Sequence, residues 1–173
     1  MFHRLVLITM LGGTTLAAPV ASAADWFSEI NYGRADFGSD FATTPDTYGI
    51  GVGTLFNDYV GAQFDWGYTG TPTPAPCPVP ICVIYITPEH VMSLRVLGRL
   101  PLGDRFELIG GYGRSKAENG TYGFTQYSDM ISFSAGWRIN ETFTLSIQRR
   151  IASVNDFTAD DAALDTVSLR YGF

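Results

Sequence analysis

The two cysteines are the side chains of this sequence whose type and spacing most directly suggest chemistry. Cys77 and Cys82 flank four residues, Pro78 to Ile81, in a stretch from residue 69 to residue 89 that holds six of the nine prolines. Two thiols without a nearby histidine make a poor zinc site, whereas disulfides persist in exported proteins. We therefore expect a disulfide in a loop, with free thiols as the alternative, and we expect no metal and no cofactor.

A second group of candidate residues consists of charged side chains at alternate positions. Each has the parity opposite to that of the apolar residues around it, so on a strand it would point away from the apolar face. Such residues could pair with one another inside the protein or line a pore. The predicted charge network comprises Glu29, Asp65, Arg95, Arg99, Glu107, Arg138, Arg150 and Arg170.

These charges must be positioned by strands, because apolar and polar residues alternate with a period of two along eight segments. The last segment is the clearest, since Val167, Leu169, Tyr171 and Phe173 alternate with small or polar residues. This alternation predicts strands with one apolar and one polar face. The other predicted strands are Trp26–Phe37, Tyr48–Leu55, Tyr59–Tyr68, one from His90, one from Phe106, one over Ile131–Arg138, and Phe143–Ile151.

The first residues indicate export. His3 and Arg4 precede an apolar run, and Ala21-Ser22-Ala23 has the small residues of a cleavage site. We predict a signal peptide over residues 1–23 and one domain over residues 24–173. Ten of the 11 basic residues and all 17 acidic residues follow residue 23, which gives a net charge of −7. Such a charge argues against nucleic acid as a partner.

The connections between the predicted strands alternate between short and long. The short turns are Phe56-Asn57-Asp58, Leu102-Gly103-Asp104 and Ile139-Asn140-Glu141, and the long loops cover residues 38–47, 69–89, 115–126 and 155–163. An even number of strands connected in this way predicts an up-and-down barrel, and a sheet exposed to lipid must close because an open edge would leave amides unsatisfied. The predicted fold is therefore all-β, an eight-stranded antiparallel transmembrane barrel.

The barrel geometry leads to three expectations about its interior. Glycines at 49, 51 and 53 would leave space for long side chains from neighbouring strands. A turn of three residues would set Arg99 directly opposite Glu107, and closure would bring Arg170 towards Glu29. The interior of eight strands is only about wide enough for side chains, so a filled polar core is favoured over a pore.

Several stretches resemble the OmpA/OmpX-like family of outer-membrane β-barrels. They are the two hairpins YGIGVGTLFNDYVGAQFDWGY and LRVLGRLPLGDRFELIGGYG, together with the final SLRYGF. The resemblance implies residence in the cell outer membrane. It also implies that Val167, Leu169, Tyr171 and Phe173 form an aromatic girdle and the signal that the barrel-assembly machinery reads.

The resemblance leaves three functions open. The favoured one is a non-enzymatic protein with a structural or surface-interaction role, which supports envelope integrity and contacts an extracellular partner through its loops. The others are a small-solute channel and a lipid A-modifying enzyme. The enzyme is disfavoured because His90 and Ser93, three residues apart, would lie on opposite faces of a strand. Arg34, Arg114 and Lys116 lie near outer strand ends, where they are candidates for contact with lipopolysaccharide phosphates, and the alternative is that they are ordinary solvated charges.

Overall fold

The structure, a computed structural model, describes residues 25–37, 43–71, 88–119, 123–152 and 162–173. The predicted signal peptide lies outside these residues, as do Cys77 and Cys82. No helix in the described ranges is long and apolar enough to cross a membrane.

Eight antiparallel strands form one closed barrel in which each strand pairs with its neighbours along the chain and β8 pairs with β1, so the predicted fold is confirmed. The strands are β1 (Asp25–Asp36), β2 (Asp46–Leu55), β3 (Val60–Thr69), β4 (His90–Leu102), β5 (Phe106–Asn119), β6 (Phe124–Arg138), β7 (Phe143–Ala152) and β8 (Ala162–Gly172).

The predicted loop over residues 115–126 is wrong for most of its length. β5 continues to Asn119 and β6 begins at Phe124, with Lys116 registered against Tyr127. The outer half of this hairpin lies beyond the apolar band of the barrel. Its strands are held there by backbone pairing, and their outward side chains can be polar.

The barrel is strongly sheared. A row of registered partners that starts at Trp26 passes through every strand and returns to β1 at Asp36, ten residues further along (26 to 36). Closure with this stagger tilts the strands by about 35–45° from the barrel axis. The tilt decides which side chains meet inside the lumen and how far each strand reaches across a membrane.

The two faces of the sheet differ in the way the alternation predicts. Large apolar side chains point outward, such as Ile30, Leu94 and Ile147, which are 60%, 63% and 64% exposed. The buried residues are mostly polar or charged, including Glu29, Asp65 and Arg95. The molecule is therefore apolar outside and polar inside, the opposite of a soluble barrel.

Two of the short turns share one hydrogen-bonding pattern. The Asn57 carboxamide oxygen accepts from the backbone N–H groups of Tyr59 and Val60, each at 2.8 Å. The Asn140 oxygen accepts in the same way from Thr142 and Phe143, at 2.9 and 2.7 Å. The third turn instead uses Gly103 at a φ of 72°, a conformation that glycine adopts without strain.

Candidate functional site

The lumen contains a chain of ion pairs in which positive and negative side chains alternate. The structure joins seven of the eight residues of the predicted network, and neighbours in the chain lie 2.7–3.7 Å apart. The order is Arg99, Glu107, Arg170, Glu29, Arg150, Asp65, Arg95. Every carboxylate in the chain therefore has two arginine partners.

Asp65 is the most heavily used acceptor. One carboxylate oxygen accepts from Arg95 Nη2 at 2.8 Å, from Arg95 Nε at 3.1 Å and from the Ser93 hydroxyl at 3.2 Å. The other accepts from Gln63 Nε2 at 2.8 Å and from Arg150 Nη2 at 3.1 Å. Arg95 itself is only 1% exposed, so its charge depends on this carboxylate for compensation.

The prediction that Arg99 lies directly opposite Glu107 is wrong in register. Arg99 is registered with Ile109 and Glu107 with Pro101, because Leu102 and Phe106 close the hairpin around residues 103–105. The two side chains still meet diagonally, with Arg99 Nε 2.7 Å from Glu107 Oε2. The other Glu107 oxygen accepts from Arg170 Nη1 at 2.8 Å, a contact that strand pairing alone could not indicate.

Arg170 belongs to the chain of ion pairs, whereas Arg138 does not. Arg170 reaches Glu29 at 3.3 Å across the pairing of β8 with β1. Arg138 lines the mouth of the barrel at the end that carries the short turns and makes no ion pair with the described residues, so its predicted place in the network is corrected. Arg138 ends β6, where its side chain stays partly exposed.

An apolar layer accompanies the charges. Phe27, Leu97 and Ile109 form a buried cluster, with Leu55 packed against it. The guanidinium of Arg170 lies 4.7 Å from the centre of the Phe27 ring, a cation–π contact. Phe27, Leu97 and Ile109 all have the inward parity of their strands, but parity alone does not show that they contact one another.

The glycines of β2 provide the room that these side chains occupy. A Cβ at Gly51 would lie 2.8 Å from the Asp65 carboxylate, and one at Gly53 would lie 2.3 Å from the Phe27 ring. Long side chains from β1 and β3 therefore extend over β2 at its inward glycine positions.

The candidate rim cations all lie on the outward face and all have acidic neighbours. Arg34 is 3.9 Å from Asp46, and Arg114 is 3.6 Å from Asp129. Lys116 pairs with Glu118. The side chains of Arg34 and Arg114 are 74% and 73% exposed, which leaves donors available to a further anion.

His90 and Ser93 do not form a catalytic pair. His90 stacks on Trp66 at a centroid distance of 5.7 Å, on the outer face. Ser93 is buried and donates to Asp65 inside the barrel. The expected separation onto opposite faces is confirmed.

The C-terminal residues close the barrel at the end that carries the short turns. The Phe173 N–H donates to the Trp26 carbonyl at 3.0 Å, and its ring lies 5.9 Å from Tyr171, which in turn contacts Phe143 at 5.3 Å. Val167 and Tyr171 point outward, and Phe173 is 70% exposed. These residues form the aromatic edge expected where a barrel meets a membrane interface.

Known structures share this architecture. The chain is similar to Ail of Yersinia pestis (12% identity, TM-score 0.51, covering 87% of this chain and 99% of that one). It is also similar to the N-terminal barrel domain of Pseudomonas aeruginosa OprF (12%, 0.55, 89% and 100%) and to OprG of the same organism (9%, 0.54, 88% and 97%). The fold is that of the eight-stranded outer-membrane β-barrels. No family model matches the sequence, and no curated protein matches it.

Removing one carboxylate from the lumen should loosen the barrel at the end that carries the short turns. Glu107→Ala would leave Arg99 and Arg170 each without one partner. We expect a loss of up to about 3 kcal/mol in the free energy of unfolding, together with brief conductance openings. Thermal unfolding and bilayer recordings measure the two effects. Glu141→Ala, which removes an exposed acid at the same mouth, is the control, and equal stability of the two variants would contradict the prediction.

Deleting Phe173 should lower the amount of barrel assembled in the outer membrane and increase its periplasmic degradation. The deletion removes the hydrogen bond to Trp26 and the ring beside Tyr171. Heat-modifiable protein in membrane fractions measures assembly. Phe173→Trp should assemble normally because it keeps both features, and wild-type yield of the deletion would show that the terminal aromatic has no role in assembly.

Proposed function

We propose that this outer-membrane barrel has a structural and surface-interaction role and does not conduct solutes. The observation that supports the proposal is the filling of the lumen by seven paired charges and the Phe27, Leu97 and Ile109 layer. A lumen filled by paired side chains is consistent with a scaffold that holds the long extracellular connections in place. Envelope integrity and loop-mediated contacts then follow as the roles of this protein.

The same proposal assigns lipid partners to the rim. Arg34, Arg114 and Lys116 would contact lipopolysaccharide phosphates, since an arginine that pairs with one carboxylate still has free N–H donors. The final strand would be recognised by the barrel-assembly machinery. An extracellular partner would bind the loops, which lie largely outside the described residues.

A small-solute channel is the second candidate, and one set of observations favours it. Inside the barrel, Asn31 Nδ2, Ser134 Oγ and Thr166 Oγ1 are buried without a hydrogen-bond partner among the described residues, as expected of polar groups that line a hydrated lumen. A vestibule of about 460 Å³ opens at the periplasmic mouth. The paired charges of the lumen argue against free passage.

Complementation of a deletion strain tests the proposal. Cells would carry the wild-type protein, Glu107→Ala, or a variant in which residues 72–87 are replaced by a short glycine-containing turn. We expect the wild type and Glu107→Ala to restore resistance to detergent, and the loop variant to assemble without restoring it. Resistance restored by the loop variant would contradict a loop-mediated role, and solute uptake that depends on the wild-type protein would support the channel. Altered lipid A in mass spectra would indicate the enzyme.

A further inference from the structure

The outward face of β7 is apolar for an unusually short distance. The outward residues of β7 are, in order, Phe143, Leu145, Ile147, Arg149 and Ile151. Arg149 is thus the first charged one, six residues from Phe143 (143 to 149). A tilted strand gains about 2.5 Å of membrane depth per residue. Arg149 therefore lies only about 15 Å from the periplasmic aromatic edge, in a barrel type whose apolar band is typically about 25 Å tall.

The opposite side of the barrel is different. On β4 the outward residues from Leu102 back to Met92 are apolar or glycine, and the next outward residue is His90, twelve residues from Leu102 (90 to 102). The corresponding span is about 30 Å. The apolar band is thus about twice as tall over β4 as over β7.

Arg149 belongs to a continuous charged row. It is registered with Asp165 on β8, which is registered with Arg34 on β1, which is registered with Asp46 on β2. Arg149 lies 3.7 Å from Asp165, and Arg34 lies 3.9 Å from Asp46. All four side chains are 58–74% exposed on the outer surface. Because a registered row rises ten residues over eight strands (26 to 36), this row climbs from Arg149 to Asp46, and the polar boundary is lowest at β7 and β8.

We propose that the face formed by β7 and β8 binds the phosphate-bearing headgroups of the outer leaflet and their water about 10 Å deeper at Arg149 than the β4 face does. The inference rests on the protein being an outer-membrane barrel and does not depend on whether its lumen conducts. The arginines of the row offer N–H donors to phosphates, and its carboxylates offer acceptors to cationic groups or hydrated cations. A headgroup layer carries both signs of charge and therefore matches the row. Acyl chains match neither.

Two positions allow a matched comparison of depth. The registered row from Leu100 runs through Leu108 and Ala135 to Ile147. Since a row rises ten residues over eight strands (26 to 36 on β1), three strands raise it by about four residues. Ile147 is therefore level with Val96, four residues above Leu100 on β4. In a bilayer of uniform thickness, reporters at the two positions would lie at the same depth.

The test places a bimane fluorophore at Ile147→Cys or Val96→Cys, in the full chain with Cys77→Ser and Cys82→Ser. Each protein is folded into vesicles of phosphatidylcholine containing lipids with a nitroxide on the headgroup or deep in the acyl chain. We expect the ratio of headgroup to acyl-chain quenching to be at least about twofold higher at 147 than at 96. Adding Arg149→Leu and Asp165→Leu should bring the two ratios together.

Three outcomes would overturn the proposal. Equal ratios at 147 and 96 in the parent chain would show a level headgroup layer. Protection of position 147 from both quenchers would show that a second protein copy covers the face. A difference that survives the double substitution would show that the charged row does not cause it. The comparison in the parent chain stands even if the double variant does not fold.

Discussion

Replacing Asp65 with alanine is expected to destabilise the barrel more than any other single change in the lumen. The substitution removes the acceptor of five hydrogen bonds and leaves Arg95, which is 1% exposed, without a carboxylate. Removing one side of a buried ion pair typically costs about 3–5 kcal/mol. Urea unfolding of the refolded barrel in vesicles, monitored by tryptophan fluorescence, measures the effect.

Asp46→Ala provides the matched control for Asp65→Ala. Asp46 also pairs with an arginine, but its side chain is 61% exposed and the distance is 3.9 Å. A surface pair of this kind contributes about 0–1 kcal/mol. Equal losses in the two variants would contradict the view that the lumen chain, rather than ion pairing in general, stabilises the barrel.

The second large effect is expected at two glycines where adjacent strands approach most closely. A Cβ on Gly33 would lie 1.9 Å from the Asp165 carbonyl oxygen, and a Cβ on Gly113 would lie 1.9 Å from the Leu94 carbonyl oxygen. Both obstacles are backbone atoms of a hydrogen-bonded neighbour, so no side-chain rotation relieves the overlap. Gly33→Ala and Gly113→Ala should each cost more than the about 1–3 kcal/mol of ordinary overpacking.

Gly110→Ala distinguishes this steric effect from a general intolerance of the strand. Gly110 is on the same strand as Gly113, and a Cβ there would meet nothing within 4 Å. Its stability should stay within about 0.5 kcal/mol of the wild type. Folding yield and urea midpoints of the three variants measure the difference, and a normal midpoint for Gly33→Ala or Gly113→Ala would show that the strands can separate without cost.

The sequence was sufficient for the fold because each strand carries its own signal. Alternation of apolar and polar residues identified eight strands, and the three short turns fixed their connectivity. The outer part of the β5–β6 hairpin was missed because the outward positions of β5 become charged at Arg114, Lys116 and Glu118, so the apolar residues that marked this face are no longer present. Above the apolar band a strand is held by backbone pairing, and its side chains carry little information about it.

The interior was less predictable. The inward charges could be identified by parity, and Arg170 near Glu29 followed from closure. Arg150 contacts Glu29 and Asp65, which lie on strands that are not neighbours of β7. These contacts depend on the shear of the barrel, and the shear cannot be predicted from the alternation of residues. The predicted partner of Arg99 was two residues from the observed one (Glu107 instead of Ile109), because the prediction set Leu102 inside the turn, whereas Leu102 pairs with Phe106.

Recording from the wild-type protein in planar lipid bilayers tests the filled lumen most directly. The protein should first show heat-modifiable migration, which confirms that the barrel is folded. With Arg99, Glu107, Arg170, Glu29, Arg150, Asp65 and Arg95 paired across the lumen, the folded protein should give no steady conductance. Steady, uniform channels from wild-type protein would contradict the filled lumen and establish the small-solute channel instead.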